Sequence, residues 1–243
     1  MLFNKDNTIK FLDSVRLKGQ LETNEAIFTV TKDSINALLT TKIPVLAIKS
    51  SLKVEGAELG ELGIGDIGLF KNFVNSIPSQ DIKIAKLKNK LVLTSPDKPV
   101  ELTLSLINTE YIKSKISEEK FDSSMKASRG NEFTLTKANI STIVSYCNTL
   151  KSDHVILEGN DKTITISLES NENELTADLE LDKPIQSFAV KFNTAYLLSL
   201  LAGQQDMLVS LQTNKICYFK VESAEYKIEY LLAPIKIEGK DEK

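Results

Sequence analysis

The amino-acid sequence predicts an α+β fold of two similar domains in tandem, each built from two strand–helix–three-strand units with mostly antiparallel sheets. Three observations carry this. A chain of 243 residues fits two domains better than one or three, at about 150 residues each. Apolar periodicity switches between the helical and the strand repeat in the same order four times. Apolar helix positions also recur at a near-constant spacing. Ile9 and Leu12 match Ile140 and Ile143 at an offset of 131, and Phe70 and Phe73 match Leu198 and Leu201 at 128.

The first unit has a helix over Lys5 to Lys18, with Ile9, Leu12 and Val15 on one face. Strands follow at Ala26 to Thr31, Ile35 to Thr40 and Val45 to Val54. The second opens with a strand over Glu58 to Ile64. Its helix runs from Asp66, a fitting N-cap, to Ile77 before Pro78, and buries Ile67, Phe70, Phe73, Val74 and Ile77. Its strands are Asp81 to Ala85, Leu91 to Thr94 and Val100 to Ile107. The third unit starts at Phe133, with Thr136 capping a helix to Leu150 that turns Ile140, Ile143, Val144 and Cys147 inward. Strands lie at His154 to Glu158, Thr163 to Leu168 and Glu174 to Leu181, with Asn160-Asp161 as a hairpin turn. The fourth has a strand at Ser187 to Phe192 and a helix at Thr194 to Leu201, capped by Asn193 and closed by Gly203. Met207 to Leu211, Ile216 to Val221 and Tyr226 to Leu232 complete it, with a turn at Asn214-Lys215. Between the halves, Thr109 to Lys120 reads as an exposed connector and Phe121 to Ala127 as chain returning to the sheet. The expected division is 1–107, a connector at 108–120, and 121–243.

Hydrophobic residues make up 42% and charged residues 26%, enough apolar material for real cores. No apolar run approaches the ~18 residues of a membrane span, so no membrane partner is expected. The charged start, Met1-Leu-Phe-Asn-Lys-Asp, is unlike a signal peptide and predicts an intracellular protein. Cys147 and Cys217 make no disulfide framework and read as small core hydrophobes.

The formal charge of −3 argues at first against a nucleic-acid partner, but distribution matters more than the total. The four helical segments carry Lys5, Lys10, Arg16, Lys18, Lys71, Lys137 and Lys151 against Asp6, Asp13 and Asp66. Seven cations against three carboxylates leave +4 on the helices and therefore −7 on the rest. Sparse lysines among Asn72, Asn75, Ser141, Ser145, Asn148, Ser199 and Gln204 suit loose phosphate contact without sequence readout. An ordinary solvated helix face carries some lysines too. No aromatic series suggests stacking on single strands.

Enzyme motifs are weak. Gly63-Ile-Gly-Asp-Ile-Gly68 matches the dinucleotide fingerprint and precedes a helix, but the segment before it is half-polar and position 88 is a lysine instead of an acid. Its glycines fit a tight strand-to-helix junction better. The one histidine, His154, starts a strand beside Asp153, and no Cys/His cluster has metal spacing. No catalytic residue, metal or cofactor is expected.

This organisation resembles the ring-shaped DNA sliding clamps of eukaryotes, archaea and tailed phages, whose chains hold two similar domains of two such units. Glu229-Tyr-Leu-Leu-Ala-Pro-Ile-Lys-Ile-Glu238 is similar to the clamp C-terminus, Lys120 to Phe133 to the entry into the second domain, and Phe192 to Leu201 to the fourth clamp helix. The resemblance implies sheets outside and four helices on the inner face, lining a hole for duplex DNA, and a homotrimer, since six domains close the ring. It implies a non-enzymatic processivity factor that tethers a replicative polymerase and meets its clamp loader, both through short peptides. Tyr111, Ile112 and Ile116 would anchor those peptides, Leu232, Ala233 and Pro234 would form a wall, and Ile35 the floor. Leu231-Leu232 stands where eukaryotic clamps have aromatics. Ring closure would pair sheet edges through Leu102, Leu104 and Leu106 with Leu175, Ala177 and Leu179. The short length and divergent motifs point to a viral clamp, of phage type, acting in the cytoplasm of a bacterial host. The alternative class is a β-rich protein-interaction module that never encircles DNA.

Overall fold

In the computed structural model, residues 2–17, 24–41, 43–56 and 58–237 are described. They form an α+β chain that divides into two compact units. Among the described residues, the first holds those from 2 to 117 together with 222–228, and the second holds 118–221 and 229–237.

In the first unit the strand–helix–three-strand pattern occurs twice. β1 (Leu2–Asn4) leads into α1 (Lys5–Arg16), then β2 (Ala26–Val30), β3 (Ser34–Thr40) and β4 (Leu46–Lys53). β5 (Gly60–Ile64) leads into α2 (Ile67–Ser76), then β6 (Asp81–Leu87), β7 (Lys90–Thr94) and β8 (Glu101–Ser105). Two antiparallel sheets result, in the orders β5-β2-β3-β4 and β1-β6-β7-β8. α1 packs on β4 and α2. Phe11 of α1 meets Phe28 of β2 edge-on at 5.2 Å, and Phe28 meets Phe70 of α2 at 6.2 Å, so one aromatic row ties both helices to the sheet.

A further helix, α3 (Glu118–Ser128), opens the second unit, where the sequence suggests sheet over Phe121 to Ala127. Phe121, Met125 and Ser128 recur at i, i+4 and i+7, and Phe121 and Ser128 are buried. Glu118 and Glu119 in the first turn and Lys126 in the last complement the helix dipole. Side chains of the second unit hold its end: Ser210 Oγ and Gln212 Nε2 donate to the Ser128 carbonyl at 2.8 and 3.1 Å.

The pattern then repeats through β9 (Glu132–Leu135), α4 (Lys137–Leu150), β10 (His154–Ser170), β11 (Asn173–Asn193), α5 (Thr194–Leu201), β12 (Met207–Ser210), β13 (Cys217–Glu222) and β14 (Tyr226–Leu232). A straight 17-residue strand would separate the ends of β10 by roughly 50 Å. Instead Ser152 Oγ donates to both the His154 and the Glu169 carbonyls, so β10 folds back on itself. The bend falls at Asp161, left-handed at φ 52°, where the β10–β11 register also shifts. The predicted hairpin at Asn160-Asp161 is thus present, within an unbroken extended run. At Gly159 a side chain would overlap the Phe188 ring, so glycine lets the aromatic lie across the strand.

Each repeat helix begins at a side-chain cap directly after a strand. Asn4 Oδ1 accepts from the Asn7 N–H and Asp66 Oδ1 from the Leu69 N–H; Thr136 and Asn139 form a reciprocal box; Asn193 accepts from Ala195 and Tyr196. These caps also correct the repeat register. Asn4 and Thr136 are 132 residues apart, and Asp66 and Asn193 are 127 apart, one residue from each offset read off periodicity. Phe11 then matches Ile143, Val15 matches Cys147, Phe70 matches Leu197 and Val74 matches Leu201, and all eight are buried. Ile9, Phe73 and Val144, expected inward, are only half-buried because they flank the apolar stripe.

Candidate nucleic-acid interface and sheet edges

The helices bring the predicted cations to different fates. In the first unit, α1 and α2 are joined by polar contacts along their length. Lys5 Nζ donates to the Asn75 and Ile77 carbonyls at 2.8 and 2.7 Å, placing a positive charge where the C-terminus of α2 presents unsatisfied oxygens. Lys71 Nζ of α2 pairs with Asp13 Oδ1 of α1 at 2.6 Å. The Arg16 guanidinium lies against Gly68 and the Asp66 cap at the other end of α2, close enough to crowd any side chain at Gly68. Lys10 is exposed, with its ammonium 5.6 Å from the centre of the Tyr226 ring.

In the second unit, Lys137 and Lys151 are exposed at the two ends of α4. Lys151 is the left-handed C-cap, at φ 52°, and borders a hollow of about 240 Å³ that Ser152, His154, Glu169 and Lys191 also line. α5 carries no charge. Lys18 lies outside the described residues. α3, which sequence reasoning missed, breaks the charge pattern, since Glu118, Glu119 and Asp122 outnumber Lys120 and Lys126.

The two expected interface strands both stand at sheet edges. β8 is the last strand of its order, and β11 between 173 and 180 pairs with β10 alone among the described residues. On these edges Leu104 and Leu179 are buried, whereas Leu102, Leu106, Leu175 and Ala177 are half-buried.

No family model matches the sequence, and no curated protein matches it. Solved structures do match its shape. The PCNA of Thermococcus kodakaraensis superposes with a TM-score of 0.75 at 15% identity, over 97% of this chain and 99% of that one. A. fulgidus PCNA, solved with the C-terminal region of FEN-1 bound, gives 0.74 at 15% identity over 98% of each chain. The proliferating cellular nuclear antigen of Entamoeba histolytica gives 0.76 at 13% identity, over 96% of this chain and 97% of that one. This chain has the DNA sliding clamp fold. A putative DNA polymerase III beta subunit from Eubacterium rectale matches as well, at 0.73 and 13% identity over 98% of this chain, which spans 65% of that one.

Within the clamp fold, the segment after β8 is a docked strap. The Thr40 N–H donates to the Ser114 carbonyl at 2.9 Å, and the Lys113 N–H to Glu25 Oε1 at 3.0 Å. Docking buries Ile112, half-buries Ile116 and leaves Tyr111 73% exposed. Ile35, expected as a pocket floor, is buried. Leu232 is buried and Ala233 and Pro234 half-buried, in the other unit.

The glycine run serves packing. A side chain at Gly63 would overlap the Ile107 carbonyl oxygen, and the Ile107 N–H donates to Gly63 O at 2.9 Å, so chain approaches chain without a Cβ between them. His154 is exposed. Burial pushes the thiols of Cys147 and Cys217 up to about 11 and about 12, keeping both protonated at neutral pH. Among the described residues no group of His, Cys, Asp and Glu is gathered to hold a metal, and no helix is long and apolar enough to cross a membrane.

Proposed function

We propose that three copies of this chain close into a ring that encircles duplex DNA without sequence preference and tethers a replicative polymerase as a non-enzymatic processivity factor. The observation that carries this reading is the clamp fold along nearly the whole chain, in both units. Exposed lysines on α1 and at the ends of α4 support it, since a sliding ring needs many weak phosphate contacts. The exposed cations Lys10, Lys137 and Lys151 touch phosphates, while Lys5, Arg16 and Lys71 hold the helices in place. Partner peptides bind at Tyr111 and Ile116 on the strap and at Leu232, Ala233 and Pro234; that A. fulgidus PCNA was solved with the C-terminal region of FEN-1 bound supports peptide binding by this fold. Ring closure joins β8 of one copy to β11 of the next.

The test is the mass in solution by light scattering across micromolar concentrations, together with loader-dependent retention on circular DNA. A three-chain particle retained on closed circles and shed from linearised ones is expected. A monomer at every concentration, with no retention, overturns the reading.

A further inference from the structure

The densest cluster of lysines lies outside the helices, along the β6–β7 hairpin: Lys83, Lys86, Lys88 and Lys90 within eight residues. Strand register shows where these charges point. Leu87 stands opposite Lys90, and Lys90 opposite Ser105 of β8, so the three share one face and one row. Lys88 and Lys90 are exposed, Leu87 is 61% exposed, and Lys86 is anchored to the Leu59 and Glu61 carbonyls at 3.2 and 3.0 Å. The outward residues Thr103 and Ser105 are short, which leaves Lys90 room to reach past the edge. The carboxylates of this sheet face, Asp81 and Glu101, lie at its other end, opposite Asn4 and Thr94.

The second edge has the opposite sign. Along β11, Glu174, Thr176, Asp178 and Glu180 alternate outward against Leu175, Ala177 and Leu179, and all four are exposed. Their row partners on β10 are Glu169, Ser167, Thr165 and Thr163, with no cation among them. Glu174 faces Glu169 directly as a like-charge pair, and Glu169 also lines the hollow bordered by Lys151 and Lys191, so the cations of this copy lie on the Glu169 side.

We propose that these two edges are electrostatic complements: Lys88 and Lys90, at one end of the β8 edge of one copy, meet the carboxylates at one end of the Glu174–Glu180 stretch of another, selecting head-to-tail assembly over pairing of two β11 edges. The inference rests on the ring reading above and adds what chooses the partner edge. Joining two β11 edges would bring Glu174, Asp178 and Glu180 of both copies to one seam, whereas the outward face of β8 adds a single carboxylate, Glu101. A second copy's β11 placed beside β8 is about 10 Å from β7, within the joint reach of an extended lysine and a glutamate.

The test compares wild type, K88E/K90E, E174K/E180K and the chain carrying all four changes, by light scattering and circular-dichroism melts at 50 mM and 1 M NaCl. Each two-site variant should assemble at least about tenfold more weakly, and the four-site chain should recover. High salt should weaken wild-type assembly, a readout that needs no variant. A two-site variant that assembles like wild type, a four-site chain that stays dissociated, or wild-type assembly indifferent to salt overturns the proposal. Charge-dependent assembly without retention on circular DNA would leave the edge pairing standing and remove the clamp reading.

Discussion

Lys71 Nζ lies 2.6 Å from Asp13 Oδ1, with the two side chains 19% and 17% exposed, so the ion pair joins α2 to α1 in a partly dry setting. Breaking it removes a charge-assisted bond between two side chains that water reaches only in part. Lys71→Ala should lower the unfolding free energy by about 1–2 kcal/mol, and Asp13→Asn by a similar amount. The double variant should cost less than their sum, because both remove the same interaction. Urea titration of the four chains checks this; strict additivity would mean the pair contributes nothing.

The exposed cations should behave differently. Alanine at Lys10, Lys137 or Lys151 should reduce the dependence of DNA affinity on salt by up to about 0.9 in log–log slope for each phosphate contact removed, with melting unchanged. Lys5→Ala should instead cost about 1 kcal/mol of stability, because its ammonium caps the Asn75 and Ile77 carbonyls. Fluorescence anisotropy across a salt series, beside thermal melts, separates the two groups.

Gly63→Ala should destabilise the first unit by about 2 kcal/mol or more, because the added methyl overlaps the Ile107 carbonyl and displaces its hydrogen-bonded strand end. Hydrogen exchange at the Ile107 amide should rise with it. Nicotinamide dinucleotide should leave the melting temperature of wild type and variant unmoved.

Alkaline pH probes the second unit. Cys147 and Cys217 have thiols raised by burial from 9.0 to about 11 and about 12, and Tyr218 is raised from 10.0 by burial and then by its hydrogen bond to Glu229. The unfolded chain therefore releases these protons at lower pH than the folded one. Their stabilising contribution is complete below pH 9 and is lost as pH climbs towards 12, at up to about 1.4 kcal/mol per unit for each group. Tyr218→Phe should flatten the fall above pH 10 while costing about 2 kcal/mol at neutral pH, because Glu229 Oε1, which accepts from the Tyr218 hydroxyl at 2.7 Å, is buried. Neither thiol should react with iodoacetamide at pH 8 until the chain unfolds.

The strand–helix–three-strand repeat was legible because each helix starts at a local signal. Asp66, Thr136 and Asn193 are read correctly as caps, and Gly203 takes the left-handed φ of 71° that a helix stop favours. Periodicity alone misplaced the repeat register by one residue, since an apolar stripe is wider than one position; the cap geometry resolves it through Phe11 with Ile143 and Phe70 with Leu197. α3 was missed although Phe121, Met125 and Ser128 hold helical spacing, because charge and serine around them resemble a loop.

By itself, then, the sequence determined the α+β class, the four repeats and the positive balance of their helices, all of which follow from local propensity and counting. Only the tertiary structure decided which cations are spent inside the chain. Lys5, Lys71 and Lys10 look alike along the sequence, but a carbonyl pair 70 residues away claims the first, Asp13 claims the second, and the third remains exposed. The same holds for the lysines of the β6–β7 hairpin and the carboxylates of β11, whose facing depends on strand register. Register is set by pairing between distant segments, and no count along the chain contains it.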